Sequence, residues 1–147
     1  MTTVHIVVGS AVIVLFAVTG LYGAWRWYRV EPSRLFWRLL RTSQVVLLIQ
    51  IALGAVLLLE GKKPHSLHVL YGLLPVAVSF VGEQLRIASA EMILASRDLE
   101  SAAEVGKLPE TEQQSIVLSI IRREMGVMTV TALVILGLAA RAAMTSG

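Results

Sequence analysis

Residues 4–25 read VHIVVGSAVIVLFAVTGLYGAW, without a single Lys, Arg, Asp or Glu. A run of about 20 apolar residues is what an α-helix needs to cross the hydrocarbon core of a bilayer. Three further blocks, 44–59, 67–82 and 125–140, are also free of charge. The second reaches spanning length when its start is set at Leu35, with Arg38 and Arg41 snorkelling toward lipid head groups. These blocks account for the composition: 56% of the 147 residues are hydrophobic and only 16% are charged. A soluble domain of similar size carries about 25% charged residues. The reading is one membrane domain, with no room for a second large globular one.

The chain has no cysteine, which excludes disulfides, iron–sulfur clusters, thiolate zinc sites and covalently attached haem. The net charge of +3 does not point to nucleic acid, because the basic residues gather at the borders of the apolar blocks. Met1-Thr2-Thr3-Val4 lacks the basic start of a signal peptide, and Trp25-Arg26-Trp27-Tyr28-Arg29 follows the first apolar run instead of a small-residue cleavage site. The first helix is therefore expected to be retained.

Ten of the thirteen basic residues fall in two segments: Arg26, Arg29, Arg34, Arg38 and Arg41, then Arg86, Arg97, Lys107, Arg122 and Arg123. By the positive-inside rule, loops 29–34 and 84–119 are expected on the cytoplasmic side of the plasma (inner) membrane. Both termini and the 60–65 turn, with Lys62 and Lys63, then face outward. Trp25, Trp27 and Tyr28 suit an aromatic belt at the inner interface.

The expected spans are about 4–28, 35–59, 65–83 and 120–143. Pro32 and Ser33 mark a turn, with Ser33 as N-cap of the second helix. Gly61-Lys62-Lys63-Pro64 is a tight turn, and Pro75 should kink the third helix. Leu85, Ala88, Met92, Ala95, Leu99 and Ala102 recur at intervals of three and four, as in a heptad seam. Gly106-Lys107-Leu108-Pro109 breaks that run, and Glu110 and Glu112 suit the first turn of a new helix. The fold expected is an all-α integral membrane four-helix up-down bundle, its third and fourth helices extended into a cytoplasmic helical hairpin over 84–119.

On that topology the three histidines, His5, His65 and His68, all lie toward the outer face. The first and third helices run in the same direction, so in an up-down bundle they can sit diagonally across the core. Imidazoles from their outer turns could then meet a haem iron from opposite sides, with His5 and His68 the preferred pair. Gly9 and Gly72 follow these two at i+4, on the same helix face, where a side chain would strike a flat macrocycle. His65 shares the face of His68 and could replace it or bond a haem propionate; Tyr71 borders the same face. The plainer reading is that histidines bordering polar segments contact head groups and water. A zinc or copper site built from all three is a further alternative, with only Glu60 nearby as an acidic ligand.

The stretch Ser43-Gln44-Val45-Val46-Leu47-Leu48-Ile49-Gln50-Ile51-Ala52-Leu53-Gly54-Ala55-Val56-Leu57-Leu58-Leu59, followed by a short turn and His65-Ser66-Leu67-His68, resembles consecutive helices of a half-bundle in the haem A synthases. It shares their Gln…Leu-Gly pattern and a histidine opening the next helix. It is also similar to small bacterial four-helix b-type cytochromes. The likeness covers about residues 40–80, roughly a quarter of the chain. It implies a haem held near the outer face by histidines at helix ends, with His68 as a ligand. His5 does not match the partner position of that family, the chain is only one four-helix half, and no acidic residue stands at the outer end of the first helix. These departures argue against enzymatic haem modification.

The remaining polar residues of the spans, Thr19, Gln44, Gln50, Ser79, Thr129 and Thr131, suit interhelical hydrogen bonds worth about 0.6 kcal/mol each. Gln50 is also a candidate to line a pocket. Glu83 and Arg86 suit a local ion pair, or more sharply a quinone or proton site. The expected function is a membrane protein binding haem b, in electron transfer or haem handling, as a carrier or subunit more than a stand-alone enzyme. Its expected partners are the lipid bilayer and a membrane electron-transfer partner or quinone. The rival reading is a non-catalytic accessory or scaffold subunit of a larger membrane complex. No phosphate-cradling loop, nucleophile elbow or carboxylate pair points to a soluble enzyme.

Overall fold

The computed structural model describes residues 1–145. Among them it holds helices and no strand: α1 (Thr2–Tyr28), α2 (Arg34–Leu59), α3 (Ser66–Ala95), the short α4 (Ala102–Val105) and α5 (Glu110–Met144). The four long helices are each long and apolar enough to cross a membrane.

Helix ends follow local chemistry. Ser33 adopts extended backbone and its Oγ accepts from the Phe36 amide at 3.2 Å, starting α2. Gly61, at φ 82°, closes α2 as the left-handed residue after its C-cap, and Lys62 N bonds back to Leu57 O at 3.1 Å. α1 closes in the same way, with Glu31 N on Arg26 O at 3.1 Å, but there the left-handed position holds Val30 at φ 52°. α3 begins one residue after His65, and it runs unbroken through the buried Pro75. α5 is a single helix from the break at Pro109 onward, so its apolar part and its charged first turns are one rod.

α5 packs along α3 and α1, and α1 along α2, whereas α2 and α3 touch sparingly. α1 and α3 are therefore not direct neighbours over their length. The core is a column of Val12, Phe16, Phe36, Leu40, Leu47, Met125, Met128, Ala132 and Ile135 from α1, α2 and α5. α3 closes on it with Pro75, Gly82 and Ser89, the residues it buries. A Cβ at Gly82 would overlap the side chain of Thr131, so glycine sets the α3–α5 approach. Close approach through small residues is the usual packing of helices in lipid, where apolar side chains gain nothing by turning inward. In keeping with this, Val14, Leu21, Leu48, Phe80 and Val130 all point outward.

Two expectations need correction. The row Leu85, Ala88, Met92 and Ala95 is exposed, and the packed face of α3 runs through Gly82 and Ser89 instead. The apolar repeat lies on the exposed face, and the close contact with α5 is made by small residues, which an apolar repeat does not mark. Nor does the third helix extend to Ala102: it stops at Ala95, Asp98 takes a left-handed φ of 57°, and only the one-turn α4 follows.

Candidate functional site

His5 lies in the first turns of α1 and His68 in the first turn of α3. Their ring centroids are 6.1 Å apart with the planes at 64°. Each ring is held by a different helix. His68 Nδ1 donates to the Ala142 carbonyl near the end of α5 at 2.9 Å. That bond leaves Nε2 as the free lone pair, the arrangement usual for a histidine that ligates a metal. His5 Nε2 accepts from the Gln50 carboxamide of α2 at 3.2 Å. The His5 ring lies against Gly54, where a Cβ would stand 3.3 Å from its Cε1.

This corner contains unpaired polar atoms. His5 Nδ1 and Gln50 Oε1 are buried and have no hydrogen-bond partner. Leaving such a group unsatisfied costs about 1–3 kcal/mol, so buried orphans are uncommon. Two of them lie on one hydrogen-bonded pair of side chains beside a second imidazole.

The spacing of the two rings is of the size one metal between them would need, while His5 Nε2 is turned to Gln50. Two imidazoles bound in line to one metal, at about 2.0–2.1 Å per bond and about 1.1 Å from nitrogen to ring centre, put their centroids about 6.3 Å apart. The observed 6.1 Å is close to that spacing. The surroundings fit on one side. Gly72, one turn beyond His68, has nothing within 4 Å of the position its Cβ would take. Gly9, one turn beyond His5, is covered: a Cβ there would stand 2.8 Å from Gln50 Nε2. A flat ligand between the rings requires that carboxamide to turn away, which also frees His5 Nε2.

His65 stands apart from the pair. It is exposed, and its Nδ1 accepts from Leu67 N at 3.3 Å, capping α3. Among the described residues no three His, Asp or Glu side chains are grouped to hold a metal ion, so the three-histidine zinc or copper arrangement is not formed. Tyr71 is half-buried beneath Arg141, whose guanidinium lies 5.9 Å from the ring centre. Arg141 thus brings a positive charge to this end of the helices. The sequence signal for it was position alone, at the end of α5 opposite the start of α3.

A second polar group occupies the other end. Glu83 of α3 accepts from Arg41 and, at 3.1 Å, from Gln44, both on α2. It also pairs with Arg86 at 3.1 Å, and Arg86 reaches Glu124 of α5 at 3.3 Å. Gln44 donates in addition to Ser79 Oγ at 3.0 Å, and the Arg86 guanidinium lies 5.5 Å from the Trp37 ring. Arg41 therefore binds a neighbouring helix instead of reaching for head groups, and the Glu83–Arg86 pair is part of a network over three helices. Arg41 and Glu83 are 42 positions apart, and no local spacing announces their contact.

Comparison with protein families, with curated proteins and with solved structures finds no match to this chain.

Proposed function

We propose that this chain is a membrane b-type haem-binding protein with His5 and His68 as axial ligands. The observation that carries the proposal is the meeting of these two rings, from helices that do not otherwise pack together, at a spacing suited to one metal between them. On this reading the four long helices form an up-down bundle across the plasma (inner) membrane. Both termini and the histidines lie outside, and loops 29–34 and 84–119 are cytoplasmic, in accord with the distribution of basic residues.

Haem b supplies one-electron chemistry, used in electron transfer or haem handling. The chain supplies the rest. Ala142 fixes the His68 tautomer through its carbonyl. Gln50 governs access to His5 and carries the unpaired Oε1. Gly72 keeps the α3 side clear. Arg141, above Tyr71, gives an acidic substituent at the rim a cationic partner.

The test is a reduced-minus-oxidised spectrum of full-length protein purified from haem-supplied cells. A b-type band at about one haem per chain is expected. A folded, monodisperse preparation without that band overturns the proposal. If it instead co-purifies with stoichiometric membrane proteins, the accessory-subunit reading replaces it.

A further inference from the structure

On the topology proposed above, α3 leaves the bilayer near the ionic network of Glu83, Arg86 and Glu124. Its apolar row continues past that border. Leu85 is 54% exposed and Met92 57%, and Ala88 and Ala95 are exposed with them. Met92 stands about 13.5 Å beyond Glu83 at 1.5 Å per residue, outside the hydrocarbon. Lipid covers apolar side chains within the span, but here the alternative to a partner is water. A contiguous apolar row facing water marks an interaction surface.

The row has the spacing of a coiled-coil seam, with Leu85 and Met92 at one repeating position and Ala88 and Ala95 at the other. On one flank lie the buried Gly82 and Ser89, the side of α3 turned to α5. On the other lies Glu91, exposed, its carboxylate without a partner among the described residues. Toward α5 the seam opens into an apolar groove of about 250 Å³, lined by Ala77, Val81, Leu85, Val130 and Val134. Arg123 shares the face of Val130, two turns along α5, and its exposed guanidinium is also unpaired among the described residues. The contacts His68–Ala142, Gly82–Thr131 and Arg86–Glu124 set α5 antiparallel to α3. On that register Glu91 and Arg123 stand at the same depth.

We propose that this surface binds a second copy of the chain, α3 against α3 about a two-fold axis along the membrane normal. In a parallel helix pair, the flank carrying Glu91 faces the opposite flank of the other copy. That flank leads to α5 and Arg123, so a Glu91–Arg123 pair closes each side of the contact. Ala88 and Ala95 admit close approach, Leu85 and Met92 interlock, and the groove gives room to side chains of the facing helix. One symmetric contact thus covers the apolar row and pairs both stray charges, the self-complementarity that a two-fold interface requires. The proposal rests on the membrane topology above and is independent of haem.

The chain has no cysteine, so a single introduced one reports the contact. In carbonate-washed membranes, Ala88→Cys should form a disulfide-linked dimer on mild oxidation, because paired seam positions come within the roughly 7 Å between Cα atoms that a disulfide tolerates. Ile87→Cys, exposed at the same depth but off the seam, should stay monomeric. Sedimentation of the full-length protein in detergent over a concentration series should show a dimer. Glu91→Arg and Arg123→Glu should each weaken it about fivefold, the effect of losing two exposed ion pairs. The double variant, which restores the pairs with their charges exchanged, should recover it. Loss of the chain from the washed membranes would overturn the topology and the dimer with it. In chain retained there, a monomer at every concentration, equal cross-linking at positions 87 and 88, or no recovery in the double variant would each overturn the dimer alone.

Discussion

The two ends of the long helices each leave buried polar atoms unpaired, Arg26 Nε and Thr129 Oγ1 toward one and His5 Nδ1 and Gln50 Oε1 at the other, but only one end also carries an ionic network. At the end holding Glu83, charges are matched by geometry: one carboxylate takes bonds from Arg41, Gln44 and Arg86, and Arg86 continues to Glu124. At the histidine end, donors and acceptors are gathered and left incomplete, with His5 Nδ1 and Gln50 Oε1 unpaired. A satisfied network fixes helices relative to one another and has nothing left to offer a ligand. An unsatisfied one is destabilising unless something else completes it. The Glu83 network acts as a clamp between α2, α3 and α5, and the histidine end is the one the haem proposal assigns to a ligand.

The sharpest way to break this contrast is to remove an imidazole. His68→Ala, and separately His5→Ala, should abolish the b-type band in protein that still elutes as a folded species. His65→Ala should keep the band, because that ring caps its own helix. Haem retention by both single variants would detach the rings from ligation.

The next effect belongs to the clamp. Glu83→Ala should lower thermal stability in detergent by the equivalent of about 1–2 kcal/mol and leave haem content unchanged. A fully buried pair broken on one side loses about 3–5 kcal/mol. The smaller value reflects screening, since the Arg41 side chain is 50% exposed. A loss of haem from Glu83→Ala without any loss of stability would move the functional site to this end.

Gln50→Leu should separate the two states of the histidine end. Without haem its stability should stay within about 1 kcal/mol of the parent, because the lost bond to His5 is offset by removal of an orphaned acceptor. With haem its affinity should rise a few-fold, because the parent must first give up the Gln50 bond to His5 Nε2. Equal haem affinity of parent and variant would show that Gln50 does not compete for His5.

The smallest effect tests whether strain also marks the clamp end. Val30→Gly removes the left-handed penalty at a position glycine adopts freely, partly offset by greater freedom of the unfolded chain. A gain of about 0.5–1 kcal/mol in thermal stability in lipid-free detergent is expected. A loss would mean that the valine side chain contributes more than its backbone strain costs.

What the sequence disclosed depended on which force wrote the signal. The four long helices were legible because a charge-free run of spanning length has few other uses, and Ser33 and Pro109 mark their helix starts through local bonding alone. The approach of His5 to His68 was legible as a matter of register, both residues lying in the first turns of helices read as parallel. The packed face of α3 was not legible from Leu85, Ala88 and Met92, because those apolar side chains are exposed and the small residues Gly82 and Ser89 make the contact. The partner of Arg41 was hidden for another reason. A long flexible cation suits a head group and a carboxylate equally well until the fold brings one of them near.

α5 has one more property that follows from its continuity. Its 35 residues form a rod roughly 52 Å long at 1.5 Å per residue, against a hydrocarbon thickness of about 30 Å. Glu124, which anchors Arg86, and Ala142, which orients His68, are stations on this one rod. The two residues are 18 positions apart, about 27 Å along the axis, so the ionic network and the His68 bond are held at a fixed separation by one helix. One unbroken helix thus sets the distance between a carboxylate and an imidazole that the sequence keeps 56 positions apart.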